Sequence, residues 1–381
     1  GLRAVSDFEY EFQLALMNRR LRRPLLLSTP VAALVLVISK DAGSSWIPMR
    51  KRSAAVAGAA QPANASKHSK LHSPSHQQRH TLSLLTLKPG LFTADGRDAA
   101  GQIWFDDLGL GQLPIAPPRP APTAWLHHPA APITAGLAAR RHASHKGSFG
   151  DVLVIGGQGL QAGAAMQGAA ILAASAALHH GAGRVFLHLL DHGQLQQLPQ
   201  TPEIMLRNQV TALAQLPSST VVCGCGGGSS VAALLPKVLE HSARLLLDAD
   251  ALNAIAADAM LRQRLKNRGP AGLPTVLTPH PLEAARLLNS SVSAVQADRL
   301  TAAHTLANTL DCTVLLKGSG SIIASPGEVP HINPTGNALL ATGGTDGLVQ
   351  LFDARRGQPL AALLLVDADQ LAGARDQGQP D

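Results

Sequence analysis

Aromatic side chains are scarce in this chain. Phe, Trp and Tyr make up 3% of its 381 residues, too few to build the stacking platforms on which single-stranded nucleic acids are held. Cysteine is rarer still. Cys223, Cys225 and Cys312 cannot form a disulfide framework, and they offer too few clustered thiols for a structural zinc site by themselves. Reduced thiols in a cytoplasmic protein are the expectation. No repeat of fixed period is visible, which sets aside solenoids and propellers. Long apolar runs are missing as well. The nearest candidate, Pro24 to Ser39, follows the basic cluster Arg19 to Arg23 and precedes small residues around Ala54 to Ala60, an order that mimics a signal peptide. Against that reading, eighteen residues stand before the basic cluster, Pro30 interrupts the run, and sixteen residues are short for a spanning helix. Neither export nor a membrane partner is expected.

Apolar residues and glycine are abundant, at 45% of the chain and 35 positions respectively, which suffices for a well-buried α/β core. The net charge of +7 owes much to NRRLRR at Asn18 and MRKR at Met49. It is read as a basic tail rather than a nucleic-acid surface. Residues 1–80, with the Ser/His/Lys/Gln-rich stretch from Ala63 to His80, lack an apolar period and are expected to be disordered. TLSLLTLKPGLFTADGRDAAGQIWFDDLGL, in the segment 81–113, has two apolar stretches separated by Gly/Asp turns and predicts strands around a loop. The segment 114–131 is too rich in proline for a helix or central strand and predicts an extended linker. From 132 to 381 apolar β-runs alternate with helical patterns. They begin at Asp151 and Arg184 and recur near Thr220, Arg244, Pro274 and Thr313. Alternation of that kind predicts a mainly parallel sheet covered on both faces, with ligands beyond the carboxyl ends of its strands.

Several segments carry the elements of a ligand site. Lys146 to Gly183 sets a buried strand, a glycine turn and a helix from about Ala162 to His180 in sequence, which suits phosphate contact or merely close helix–sheet packing. VVCGCGGGSS, from Val221, follows a strand with glycines that leave backbone amides open to a ligand, or that form a plain loop. LLLDADALN, from Leu245, ends a strand in acids, where Asp250 can cap the next helix or hold a magnesium-bound water. In TVLTPHPLEAARLL, Pro279 and Pro281 fix the backbone around His280, so its imidazole is presented in one direction, and Glu283 suits the helix dipole. VLLKGSGSIIAS places Lys317 where a tight glycine turn begins, within reach of a phosphate that the turn amides can also accept. INPTGNALLATGG then leads into Thr345 and Asp346, a glycine-rich helix start beside a carboxylate that can act as a base in phosphoryl transfer.

In this order, KGSFGDVLVIGG, PEIM, CGCGGG, DADALN, LTPHPLEAARLL, LKGSGS and NPTGNALLATGG resemble the NAD(P)H-hydrate dehydratase family. The fold this implies is a ribokinase-like three-layer α/β/α domain with a mainly parallel sheet. The activity implied is ADP- or ATP-driven dehydration of the hydrated dinucleotides NADHX and NADPHX, with Mg2+. The resemblance assigns Ala164, Gly228 and His280 to the hydrated dinucleotide. It assigns Lys317, Gly318, Ser319, Gly320, Ser321 and Gly344 to the nucleotide, Glu283 to the magnesium water shell and Asp346 to catalysis. The segment from Leu84 to Leu110 is similar to the last strands of the hydrate epimerase domain that often precedes this dehydratase. One departure stands at the catalytic end. The family reads GGTGD where this chain reads GGTDG, so Asp346 lies one residue early, and such a shift at a helix start rotates a side chain by about 100°. After Gln350 the similarity fades. A small-molecule kinase on the same fold, a catalytically impaired relative and a homo-oligomer are the alternatives and additions that this reading leaves open.

Overall fold

Buried parallel strands need side chains that are apolar on both faces, and the runs after residue 150 supply them. In the computed structural model, residues 79–109, 121–126, 142–160, 163, 165–190 and 197–334 are described, with the backbone of four further short strands. Two of those lie early, β1 (Leu25–Ser28) and β2 (Val35–Ile38). The remainder of the segment read as disordered, up to residue 78, lies outside the described residues. The chain divides into two units, Gly1–Thr123 and Ala124–Asp381.

In the first unit, β3 (His80–Leu84) and β4 (Gln102–Asp106) pair in parallel, with Leu82 opposite Trp104. Parallel neighbours require a crossover, and α1 (Ala94–Ala100) provides it. The expected loop between two strands is thus partly a helix. Ala-rich ADGRDAA is a competent helix former, Asp95 favours its first turn, and Gly101 with φ of 61° ends it. Thr81 Oγ1 donates to Ala100 O at 2.7 Å, fixing the helix end over the sheet.

The second unit is built on one large sheet. β5 (Pro122–Leu126) straddles the division between the units and pairs with β14 through Trp125 and Leu126. This strand falls inside the segment read as a linker. Pro122 is tolerated because it stands first, where no ladder N–H is needed, and Ala124 is fully buried. The rest follows in chain order: β6 (Asp151–Gly156), α2 (Gln167–His179), β7 (Arg184–Leu189), β8 (Met205–Leu206), α3 (Gln209–Ala214), β9 (Thr220–Cys223) and α4 (Leu235–His241). Next come β10 (Arg244–Leu247), α5 (Asp250–Ala257), α6 (Ala259–Lys266), β11 (Thr275–Leu277), α7 (Pro281–Leu288), α8 (Val292–Ala297) and α9 (Arg299–Leu310). β12 (Thr313–Leu316), β13 (Ser321–Ala324) and β14 (His331–Asn333) close the sheet, and a hairpin of β15 (Gln350–Asp353) and β16 (Gln358–Ala362) follows.

The strand order β14-β13-β12-β11-β10-β9-β6-β7-β8 is parallel from β12 to β8, with β13 antiparallel to both β12 and β14. Successive residues of each strand point to opposite faces. One face gathers Val154, Leu187, Val222, Leu246, Val276 and Leu315 against Ala170, Ala173, Ala174 and Ala177 of α2. Alanines let that helix approach closely. The alternate residues, among them Ile155, Val221, Leu247 and Leu316, are buried on the other face, so the sheet is covered on both sides in a three-layer α/β/α domain. Burying one such leucine contributes about 1.5–3 kcal/mol.

Strand β6 has β7 on one side and β9 on the other. The chain therefore reverses its direction of sheet growth there, and the crevice beyond the carboxyl ends of β6 and β9 is where open α/β sheets take ligands.

Candidate functional site

Two glycine turns meet at this switch point. Gly157 N donates to Cys225 O at 3.0 Å and Gln158 N donates to Gly226 O at 2.6 Å, so the turn after β6 rests directly on the turn after β9. Gly228 closes the second turn with φ of +53°, and a Cβ added there would meet the Gln158 side chain at 1.7 Å. Glycine suits that left-handed backbone, and any larger residue would have to push the end of the Gln158 side chain aside. Its N–H donates to Asp250 Oδ2 at 2.8 Å. Asp250 therefore does not cap the helix, one of the two uses its position allowed. The cap position belongs to Ala249, held at φ of 48°, and this turn aims the Asp250 carboxylate across the strand ends at the glycine loop.

Asp248, two residues earlier, links three strand ends. Its Oδ1 accepts from Thr278 Oγ1 at 2.8 Å and from Lys317 Nζ at 2.9 Å, and Cys225 Sγ lies 3.7 Å from its Oδ2. The Lys317–Asp248 ion pair is buried, with side-chain exposures of 7% and 11%. Burial first, and then the Asp248 charge, push the Cys225 thiol well up, so it stays protonated and donates. Neighbouring strand ends are tied in the same way by the backbone. Asp248 N donates to Cys223 O, Thr278 N to Leu247 O and Lys317 N to Pro279 O, each at 2.9–3.1 Å.

His280 stands at the N-cap of α7. Its Nδ1 accepts from Leu282 N at 3.1 Å and Glu283 N at 3.4 Å, while Glu283 Oε2 accepts from His280 N at 2.8 Å, a reciprocal capping box. An Nδ1 that accepts puts the proton of a neutral ring on Nε2, which lies 3.2 Å from Glu283 Oε1. Glu283 is buried at 3% exposure. Its carboxylate is committed to the cap, so it suits contact with a magnesium-bound water better than direct ligation, and among the described residues no cluster of three metal-ligating side chains occurs. Magnesium needs none, since it is commonly held by one or two carboxylates together with waters and substrate phosphates.

The turn from Lys317 to Ser321 joins β12 to its antiparallel partner β13, with Leu316 opposite Ile322. Gly318 has φ of +124°, and Ser321 Oγ donates to Gly318 O at 3.1 Å. Gly318 and Ser319 are exposed while Lys317 is buried beneath them. Behind the turn lies Arg299, whose Nη2 donates to Leu316 O at 3.2 Å and Lys317 O at 3.0 Å. Burial lowers its pKa to about 10.

Gly228, His280, Glu283 and the turn of Lys317 to Ser321 thus stand beyond the carboxyl ends of β9, β11 and β12, on one edge of the sheet. Ala164, Gly344 and Asp346 lie outside the described residues. Asp248 and Arg299 were missed in the sequence. Asp248 carried a signal, because two acids at a strand end leave one pointing along the sheet edge. Arg299 carried another: it sits on the stripe 299, 302, 303, 306, 307, 310 that α9 buries, and an arginine on an apolar stripe must find acceptors.

Residues 152–349 match the family described as NAD(P)H-hydrate dehydratase. The chain is 41% identical over 212 residues to an ADP-dependent (S)-NAD(P)H-hydrate dehydratase of Neisseria meningitidis, covering 54% of this chain and 69% of that protein. It is 35% identical over 289 residues to the bifunctional NAD(P)H-hydrate repair enzyme Nnr of Escherichia coli, covering 74% of this chain and 52% of that one. The chain spans about half the length of this bifunctional relative. Among solved structures, an ADP/ATP-dependent NAD(P)H-hydrate dehydratase from Bacillus subtilis, co-crystallized with ATP/Mg2+, aligns at 26% identity and a TM-score of 0.42 over 57% of this chain and 75% of that one. With the family match across the whole strand-end site and a 41% identical relative covered over more than two thirds, the chain belongs to the NAD(P)H-hydrate dehydratase family.

Proposed function

We propose that this chain removes water from the S form of hydrated NAD(P)H, with ADP or ATP as the phosphoryl donor. One observation carries the reading: two separate segments, the glycine turn with His280 and the Lys317 turn, share one sheet edge and are joined through Asp248. A hydroxyl is a poor leaving group. Transfer of the terminal phosphoryl group forms a bond from the hydrate oxygen to phosphorus and breaks the bond to the bridging oxygen, releasing AMP or ADP. The ring nitrogen's electron pair then expels phosphate, and a proton leaves the neighbouring carbon to restore the double bond. Ground-state binding belongs to Ala164, Gly228 and His280 on the dinucleotide side and to Lys317, Gly318, Ser319, Gly320, Ser321 and Gly344 on the nucleotide side. Asp346 is the base for the hydroxyl proton. A magnesium ion on the nucleotide phosphates, its water shell touching Glu283, would neutralise their charge.

The longer matches suggest a further assignment. Bifunctional relatives align over up to 338 residues and 80% of this chain, more than the span of 152–349. We read 81–113 as the end of an epimerase-like domain; of the segment 114–131 that follows it, β5 joins the sheet of the domain that 132–381 completes.

The test is direct. NADHX incubated with the purified chain and ADP, or ATP, returns absorbance at the reduced-nicotinamide band, and Asp346→Asn lowers the rate by about 10²–10⁴. Phosphorylation of a small alcohol such as hydroxyethylthiazole, with no reduced nicotinamide formed, would replace the dehydratase reading with a kinase one.

A further inference from the structure

We propose that Arg299 is a positioning residue for the nucleotide, a buried cation that fixes the Lys317 turn and aims its backbone at a nucleoside diphosphate. The inference rests on the nucleotide-binding reading above.

Arg299 is 3% exposed, yet among the described residues no carboxylate lies within ion-pairing distance of it. Its acceptors are all neutral: the carbonyls of Leu316 and Lys317, and Gln296 Oε1 at 2.7 Å from Nη1. Nε has no partner among the described residues. A buried guanidinium left without a counter-charge is costly. As a mere brace between α9 and β12, it could be replaced by a neutral donor. The charge is intelligible if an anion completes the site.

Its location says which anion. In a trans peptide the C=O and N–H point in opposite directions. The carbonyl of Leu316 is turned to Arg299, and the N–H of the same peptide, on Lys317, accordingly meets Pro279 O at 2.9 Å on the far side. The carbonyl of Lys317 is held by the same Nη2, so the Gly318 N–H is directed away from the guanidinium, at the exposed tip of the turn. The guanidinium sits close behind that tip, since a Cβ on Gly318 would lie 3.2 Å from both Nη1 and Nη2. A fixed cation and an oriented amide therefore act with the same sign at one place, the arrangement that binds a phosphate oxygen. Lys317 Nζ is held from the other side by Asp248, so the start of the turn is braced twice.

Calorimetric titration of the full chain with ADP and Mg2+ tests this with three variants. Arg299→Lys keeps the charge and loses the fork, and should weaken ADP binding about tenfold. Arg299→Met loses both, for about a hundredfold, as expected for charge-assisted hydrogen bonds. Affinity then ranks Arg above Lys above Met. A purely structural role gives the opposite order for the two variants in thermal stability, because a buried unpaired ammonium is worse than a thioether, and no change in ADP affinity measured below the melting range. That second pattern would overturn the proposal. Should both variants fail to fold, Gln296→Ala decides. Gln296 is exposed, and losing its hold on Nη1 should weaken ADP binding about two- to fivefold, whereas unchanged affinity contradicts the proposal. If the unaltered chain does not bind ADP at all, the nucleotide reading falls and this inference with it. If it binds and the variants bind equally, only the inference falls.

Discussion

His280 has two tasks that single substitutions separate. Its Nδ1 caps α7, and its ring is proposed to hold the hydrated dinucleotide. His280→Ala removes both, and should cost about 0.5–2 kcal/mol of stability through the lost cap as well as weakening hydrate binding about tenfold to a hundredfold. His280→Asn puts a good capping residue in place without the imidazole. It should melt within a few degrees of the parent and still bind the hydrate as weakly as the alanine variant. Hydrate binding by the asparagine variant that equals the parent's would confine His280 to the cap. The two prolines made His280 legible in the sequence, but its capping role was not, because histidine is not among the usual N-cap residues. Lys317 was legible for a similar reason, from the glycine turn that it opens. Its partner Asp248 lies 69 residues away, and no local pattern joins them.

At the scale of elements, parallel strands were readable because both of their faces are buried and the sequence shows unbroken apolar runs. The strands begin at Asp151 and Arg184 as expected, and the others start within a residue of the expected points. Helix α2 was expected from Ala162 and begins at Gln167, since alanine and glycine give no signal for where a first turn starts. Strand β5 was hidden by Pro122 and the prolines before it, and α1 by the glycines around it. Strand ends also hold all three cysteines, each buried. Desolvation raises Cys223 from its ordinary 9.0 to about 12, and Cys225 and Cys312 rise too. Above pH 9 the unfolded chain thus loses thiol protons that the native chain keeps. Stability contributed by the neutral thiols is complete below pH 9 and declines as pH rises towards 12, by about 1.4 kcal/mol per thiol per pH unit. Urea titrations at several alkaline pH values should show this slope flattened when Cys223, Cys225 and Cys312 are all replaced by alanine. Equal slopes with and without the thiols would contradict their burial.

For the molecule as a whole, the order of motifs along the chain was the legible part, and it led to the family through segments that the fold returns to one sheet edge. The topology explains why. The glycine turns after β6 and β9, the acids after β10, His280 after β11 and the Lys317 turn after β12 each follow a parallel strand, so each is delivered to the same end, and the switch between β6 and β9 opens the crevice there. The contacts that tie the site together, Asp248 to Lys317 and Arg299 to the turn carbonyls, arise only on folding. Among the described residues no helix is long and apolar enough to cross a membrane. The account's central claim is that phosphoryl transfer to the hydrate drives the loss of water, and stoichiometry tests it most directly. With NADHX and ADP as the only substrates, AMP, inorganic phosphate and NADH should appear in equal amounts throughout the reaction. NADH formed without AMP, or AMP formed without NADH, would contradict it.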